Sequence, residues 1–136
     1  MASGGRGGGG GVPGFVHRLS KDARISIIQV LAAQRTHREV AEMLGVTPAA
    51  VTKYLYRRTH PSDAVILRAL EAAGEEELKV IADIMLDDLL GGIKSLIDWA
   101  LDNGLLARED IRKIEEAIYP RILLLAYKRG GAPRPS

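Results

Sequence analysis

Apolar residues recur at intervals of three and four along most of the chain, and no stretch of useful length alternates apolar with polar residues as a strand does. The pattern therefore predicts an all-α protein. A first helix is expected from a capping serine, Ser20, to about Ala33. The side chains expected on its inner face are Ile27, Ile28 and Leu31, together with the aliphatic stem of Arg24.

Two short helices joined by a tight turn are predicted by the letters HREVAEMLGVTPAAVTKYLYRR. Thr36 and Glu39 are spaced as a capping box at the start of the first helix, and Gly45 is expected to end it in a left-handed conformation. Thr47 is expected to cap the second helix, and proline at the first helical position is well tolerated there. The apolar side chains expected to brace the pair are Val40, Ala41, Leu44, Val46, Val51, Tyr54 and Leu55.

The helical pattern continues towards the C-terminus after a proline at position 61 breaks the chain. The ranges predicted for the later helices are 62–73, 75–90, 93–103 and about 108–128. The pair Gly91–Gly92 is expected to separate the second of these from the third, and Pro120 is expected to kink or divide the last. The region after residue 75 is thus predicted to contain about three helices.

The organisation predicted along the chain has two helical parts between two tails. Eight of the fifteen glycines lie within residues 1–14, and glycine loses the most conformational entropy on ordering. The predicted boundaries are 1–14 for a disordered tail, 15–74 for a helical bundle, 75–128 for a C-terminal helical region that can dimerise, and 129–136 for a second tail.

Charge is distributed unevenly between these parts. Residues 1–61 contain nine Lys or Arg against three Asp or Glu, residues 62–116 contain six against fourteen, and residues 117–136 contain four against none. A basic front beside an acidic middle indicates different partners for the two regions. The alternative is an incidental scatter of surface charge, but the first change of sign coincides with the end of the two-helix pattern.

Composition excludes several classes of protein. The chain has no cysteine, so disulfides and thiol chemistry are excluded and a reducing cytoplasm is expected. The most apolar window, 78–101, is interrupted by six charged residues, so we expect no membrane-spanning segment. Thermolabile amides are few, which is typical of thermophilic proteins.

The second helix of the pair has an outward face without acids, and this predicts a surface for double-stranded DNA. Small and β-branched residues at its start allow close approach to base edges, and the lysine can reach guanine or a phosphate. Tyrosine and arginine at its end suit backbone phosphates, and so does the start of the preceding helix. The residues predicted to bind DNA are His37, Arg38, Thr47, Pro48, Ala49, Thr52, Lys53, Tyr56, Arg57 and Arg58.

Residues 24–74 resemble the phage-repressor and Cro-type helix-turn-helix domains, the xenobiotic-response-element regulators of bacteria and archaea. The resemblance rests on REVAEMLGVTPAAVTKYL followed by HPSDAVILRALEAAG. It implies a compact bundle of four to five helices that binds DNA, commonly as a dimer. Such domains often have glutamine at the start of both helices of the pair, where this chain has His37 and Pro48, so no base preference carries over.

The leading hypothesis is a sequence-specific, homodimeric transcriptional regulator of a prokaryote. Two recognition helices on half-sites one turn of DNA apart bind more strongly than one, which favours pairing of the C-terminal helices over their closure into a bundle within one chain. One alternative is an architectural or genome-maintenance protein that recognises repeats or partition sites. Another is a protein-interaction module that acts through the C-terminal helices.

An enzymatic function is not expected. Asp83 and Asp87 share a predicted helix face, and paired carboxylates can hold a metal or transfer protons. No histidine lies near them in sequence, and the three histidines have no ligand spacing among themselves. We therefore expect no catalytic residues, no metal and no cofactor.

Overall fold

The computed structural model describes residues 11–130, and these residues form seven helices and no strand. The helices are α1 Gly14–His17, α2 Lys21–Ala32, α3 His37–Leu44, α4 Pro48–Leu55, α5 Asp63–Ala72, α6 Glu75–Asp102 and α7 Arg108–Gly130. The all-α prediction is therefore confirmed for the described part of the chain. Most of the predicted tails, residues 1–10 and 131–136, lie outside it. Helix α1 was not among the predicted elements.

The helix starts of the N-terminal half follow from local capping. The Ser20 hydroxyl accepts from the amide of Ala23 at 3.1 Å, and the Thr47 hydroxyl accepts from the amide of Ala50 at the same distance. Thr36 forms the predicted capping box. These hydroxyls satisfy amides that have no partner within the helix. The predicted starts of α2, α3 and α4 are confirmed.

The described chain forms two compact units, divided between Gly92 and Ile93. The sequence prediction placed a boundary at residue 74, but the first half of α6 packs on the core of the first unit. Ile81 is fully buried there, and Leu78, Ile84 and Met85 pack beside it. These four residues recur at intervals of three and four positions, so they lie on one side of α6. The acidic start of this helix therefore belongs to the first unit.

The core of the first unit is almost entirely aliphatic. Helices α2, α3, α4 and α5 contact one another around it. Side chains that are fully buried include Val16, Ile27, Ile28, Leu31, Val40, Leu44, Val51, Ile66 and Ile81. The inner faces predicted for the first helix and for the pair of short helices are therefore confirmed.

Arg24 is buried at 6% exposure, and its guanidinium joins three parts of the first unit. It donates to the carbonyls of Leu19 at 3.2 Å, Pro61 at 3.0 Å and Val16 at 2.7 Å. It also donates to Asp63 Oδ1 at 2.6 Å. A buried charge is tolerated only when it is paired and hydrogen-bonded, and all four acceptors are supplied here. The guanidinium of Arg24, and not only its aliphatic stem, therefore lies inside the first unit.

Helix α6 runs without a break through Gly91 and Gly92, so the predicted interruption is wrong. A glycine in a helix interior costs about 1 kcal/mol relative to alanine, but it ends a helix only when a left-handed turn follows. Neither glycine has a positive φ, and a Cβ at either position would meet nothing within 4 Å. The residues on both sides are good helix formers, and they continue the helix.

Helix α7 is also continuous, from Arg108 to Gly130, with Pro120 inside it. Of the two outcomes predicted at Pro120, a kink or a division, division therefore does not occur. With α6 unbroken as well, the region after residue 75 contains two long helices rather than about three. Along residues 11–130, none of the helices combines the length and the apolar character needed to span a bilayer.

The second unit consists of the end of α6, a short connection and α7. Gly104 has a φ of 64°, and the amide of Leu105 donates to the carbonyl of Ala100 at 2.9 Å, so α6 ends in a left-handed turn. The carboxylate of Asp110 accepts from the amide of Ala107 at 2.9 Å and caps the start of α7. Ala100 is the only buried residue among the described residues 93–130.

Candidate nucleic-acid interface

The turn between α3 and α4 depends on Gly45, whose φ is 69°. The amide of Val46 donates to the carbonyl of Ala41 at 3.0 Å, which closes the end of α3. A Cβ on Gly45 would overlap the guanidinium of Arg68 from α5. Glycine is favoured here by the left-handed backbone conformation, and any larger residue would also displace the flexible end of Arg68.

The inner face of α4 is braced by the core. Val51 is fully buried, Tyr54 is 7% exposed, and Leu55 is half-buried against the core. Burial raises the pKa of the Tyr54 hydroxyl. Ala41 of α3, 2% exposed, is the small residue that the sequence pattern placed within this packing. The orientation of α4 is therefore fixed by its apolar side.

The opposite side of α4 faces solvent. Nine of the ten residues predicted to bind DNA are exposed, and Thr52 is half-buried. Five of them surround a shallow concavity of about 500 Å³: Ala49, Thr52, Lys53, Tyr56 and Arg58. The structure thus brings half of the predicted site together around one concavity, and none of the residues lining it is acidic.

Thr52 is oriented by two hydrogen bonds within the protein. Its hydroxyl donates to the carbonyl of Pro48 at 3.1 Å. The Nδ1 atom of His37 lies 2.9 Å from the same hydroxyl oxygen. With the hydroxyl hydrogen donated to Pro48, the second contact is a hydrogen bond in the tautomer of His37 that carries its proton on Nδ1. This bond connects the first residue of α3 to the outward face of α4.

The end of α4 holds Arg57 at a φ of 61°. The amide of Arg57 donates to the carbonyl of Tyr54 at 3.0 Å, and the amide of Arg58 donates to the carbonyl of Lys53 at 2.9 Å. These are the paired bonds of a Schellman motif, in which glycine usually takes the left-handed position. Arg57 Nη1 also lies 2.7 Å from Asp22 Oδ1. Arg57 therefore already has an acidic partner on α2.

The start of α3 carries a negative charge, that of the Glu39 carboxylate in the capping box. The Glu39 carboxylate accepts from the amide of Thr36 at 2.8 Å, and the Thr36 hydroxyl accepts from the amide of Glu39 at 3.1 Å. Hydrogen bonds to the carboxylate from the backbone and side chain of Thr36 lower the pKa of Glu39, so its negative charge is held at this helix end. A phosphate near His37 and Arg38 would rely on those exposed side chains more than on the helix amides.

Sequence reasoning missed Arg68 as a neighbour of this surface. It is exposed on α5 and reaches the α3–α4 turn at Gly45. Sequence reasoning also missed Asp22 as the ion-pair partner of Arg57. No local pattern reports either contact, since each joins residues more than twenty positions apart.

The acidic residues in the middle of α6 differ in their surroundings. Asp88 accepts from the Ser20 amide at 2.9 Å and from the Ser20 hydroxyl at 2.5 Å, so it stabilises the start of α2. Asp83 and Asp87 are exposed. Within residues 11–130 there is no group of three or more His, Asp or Glu side chains placed to hold a metal ion.

Comparison with known proteins supplies no further assignment: no family model, no curated protein and no solved structure matches this chain.

Proposed function

We propose that the protein is a sequence-specific, double-stranded-DNA-binding transcriptional regulator that acts as a homodimer. In this proposal α3 and α4 are a helix-turn-helix, and the N-terminal end of α4 enters the major groove. The observation that carries the proposal is the outward face of α4, which is exposed, free of acids and rigidly backed by a buried apolar side.

The residues divide into two roles under this proposal. Thr47, Ala49 and Thr52 lie on the first turns of α4, where side chains approach base edges, and Lys53 reaches guanine or phosphate. The residues assigned to the sugar–phosphate backbone are His37, Arg38, Tyr56, Arg57 and Arg58, whose contacts fix register without reading sequence. Pro48 supports the helix start and allows the backbone to come close.

Electrostatics supports the same surface. Residues 1–61 carry a net charge of +6, and five basic or histidine side chains of that segment are exposed on or beside α3 and α4. Each phosphate contact releases condensed counterions, so affinity should fall steeply as salt is raised. Of the three acidic residues in that segment, Asp22 and Glu39 are engaged in contacts within the protein, and Glu42 is exposed on α3.

Fluorescence anisotropy with a pool of random duplexes at low salt tests the proposal. The wild-type chain is expected to bind, and Lys53→Glu is expected to weaken binding about tenfold or more. Lys79→Glu is the matched control, because Lys79 is 66% exposed on α6, away from the candidate surface, and pairs only with Glu76. No binding by the wild-type chain, or equal loss in both variants, would overturn the assignment.

Binding-site selection from the same pool separates sequence-specific recognition from general attachment. A regulator of this kind should select a short motif with two-fold symmetry, because the half-sites mirror the symmetry of the protein dimer. Selection of no motif would favour the architectural role.

A second candidate function, a protein-interaction module, is favoured by the exposed apolar side chains of residues 93–130. Retention of biological function in Lys53→Glu combined with Arg57→Glu would support it.

A further inference from the structure

The second unit exposes far more apolar surface than a monomer usually does. Among the described residues of α7, Arg108–Gly130, none is buried. Large apolar side chains of α7 that are 40–60% exposed are Ile111, Ile114, Ile118, Tyr119, Ile122, Leu123, Leu124, Leu125 and Tyr127. Contiguous exposed apolar surface of this kind marks a site of association.

A groove within the second unit is lined by the end of α6 and the first half of α7. Its volume is about 360 Å³. The apolar residues that line it include Ile93, Leu96 and Ile97 from α6, and Ile114, Ala117 and Ile118 from α7. Asp110 and Lys113 also line it, and they form a partly exposed ion pair with each other at 3.8 Å, which contributes little by itself. An occupant should therefore be an apolar helix face, and a basic residue on it would meet Asp110 in addition to Lys113.

The second half of α7 has those properties. One stripe of α7, with spacings of three and four, contains Asp110, Ile114, Ala117, Arg121, Leu125 and Lys128. Its first three members line the groove, and its last three are exposed. The stripe is nearly symmetric about residue 119, so an antiparallel copy places Lys128 opposite Asp110 and Leu125 opposite Ile114.

The charge of the whole helix agrees with antiparallel pairing. Residues 108–118 contain four acidic and three basic side chains, whereas residues 119–130 contain three basic side chains and no acid. Parallel copies would place the two basic halves together. Antiparallel copies place each basic half beside the mixed, acid-bearing half, and opposite charges across an interface favour that arrangement.

We propose that the groove is occupied by α7 of a second copy of this chain. The second half of α7 from each chain lies antiparallel along the first half of its partner, in a two-fold, isologous dimer. Each contact then occurs twice, because residue i meets residue j and residue j meets residue i. This inference rests on the homodimer of the proposed function, to which it adds a surface and a helix direction, and it does not depend on DNA binding.

The available area suits a stable dimer. Fourteen large apolar side chains in the described residues 93–130 are at least 40% exposed. Side chains of this size present on the order of 80 Å² each when about half exposed. Ten of them would supply roughly 800 Å² per chain, which is one partner's share of a standard interface.

The mass of the full chain in solution tests the surface. Light scattering coupled to gel filtration should give twice the chain mass of 14.7 kDa. Leu125→Glu should raise the dissociation constant at least about tenfold and give a monomer at micromolar concentration. Leu123→Glu is the matched control, because it makes the same change two positions away on the opposite side of α7 and should leave the dimer intact.

The outcomes of that experiment are decisive in either direction. A wild-type monomer would mean that something other than a second copy covers the surface, and a larger oligomer would contradict a closed pair. Equal loss in Leu125→Glu and Leu123→Glu would overturn the assigned face. Circular dichroism should show unchanged helix content in both variants. If only Leu125→Glu loses helix, the dimer is tested instead by the charge variants Asp110→Lys and Lys128→Asp.

Charge exchange tests the helix direction. Asp110→Lys and Lys128→Asp should each weaken the dimer, and the two changes in one chain should restore it. Asp110→Lys also removes the cap on Ala107, but loss of a cap cannot produce restoration by the second change. A double variant no tighter than the weaker single variant would overturn the antiparallel arrangement.

DNA binding and self-association are separable in these measurements. Lys53→Glu should keep the dimer mass while losing DNA affinity. A chain that binds DNA as a monomer would overturn the proposed dimer and leave recognition by α4 in place. A dimer that fails to bind DNA would overturn recognition by α4 and leave the proposed dimer in place.

Discussion

The two units of this protein bury their apolar residues to very different extents. In the first unit, helices of eight to twelve residues enclose side chains that are 0–7% exposed. In the second, α7 has 23 residues and none of them is buried. Short helices depend on tertiary packing for their stability, and the first unit supplies it within one chain. The proposed antiparallel dimer would supply the corresponding packing to the second unit.

The largest effect should come from emptying the core of the first unit. Leu31→Ala removes a fully buried side chain and should lower the free energy of unfolding by about 3 kcal/mol. Leu101→Ala makes the same change at a side chain of the second unit that is 60% exposed, and should cost less than about 0.5 kcal/mol. Urea denaturation followed by circular dichroism measures both. Similar costs would mean that the two units are not packed differently.

A second comparison uses the two left-handed glycines, one in each unit. Gly104 has a φ of 64° and open space around it, whereas Gly45 has a φ of 69° and lies against Arg68. Gly104→Ala should cost about 1 kcal/mol from backbone strain, and Gly45→Ala slightly more, because the flexible end of Arg68 must also move. Thermal unfolding measures the difference. Combining Gly45→Ala with Arg68→Ala should bring the cost back to that at Gly104, and no recovery would contradict the contact.

Acid should weaken the first unit through Glu77. Arg35 donates to both Glu77 oxygens, at 2.5 and 3.0 Å. The hydrogen bonds from Arg35, and a further one from the amide of Gly74, lower the pKa of the Glu77 carboxyl, while burial opposes the shift. A lowered folded-state pKa contributes stability above the unfolded value of about 4.3, and this stability is lost as pH falls through the folded value.

Glu77→Gln should therefore make the protein less stable at pH 7 while flattening the loss of stability between about pH 4 and pH 2. Thermal unfolding across that range gives the slope. Glu76→Gln is the control, because Glu76 is 84% exposed and pairs only with Lys79, and it should leave the slope nearly unchanged. An unchanged slope in Glu77→Gln would show that other carboxylates dominate acid unfolding.

The smallest stability change is expected at Arg57. Arg57→Gly relieves the left-handed strain of roughly 1 kcal/mol and loses an exposed ion pair with Asp22, which is worth about 0–1 kcal/mol. The melting temperature should therefore stay the same or rise slightly, while DNA affinity falls. A clear drop in melting temperature would show that the ion pair stabilises the end of α4 more than its exposure indicates.

The features that could be predicted from the sequence depend on neighbouring residues. Caps at Thr36 and Thr47 act over three positions, and the left-handed turn needs only Gly45, so the α3–α4 pair could be placed correctly. The break predicted at Gly91–Gly92 was wrong because glycine propensity is a weak effect that longer flanking segments override.

The features that could not be predicted join distant positions. The acceptors of Arg24 and the contact between Asp88 and Ser20 depend on how helices assemble, and no spacing reports them. In the candidate site the outward residues could be predicted from helical periodicity. The ion pair of Arg57 and the position of Arg68 required the packed structure, because their partners lie on other helices.

The hydrogen bonds of Thr52 carry a consequence for the choice of base. Its only hydroxyl hydrogen is held by the Pro48 carbonyl, so towards a ligand this group is left with a lone pair. In the major groove the exposed amino groups of adenine and cytosine match a lone pair, whereas guanine offers only acceptors. Within the proposed complex, the base edge facing Thr52 should therefore be that of adenine or cytosine, and a guanine or thymine edge there should be disfavoured, because neither offers a donor.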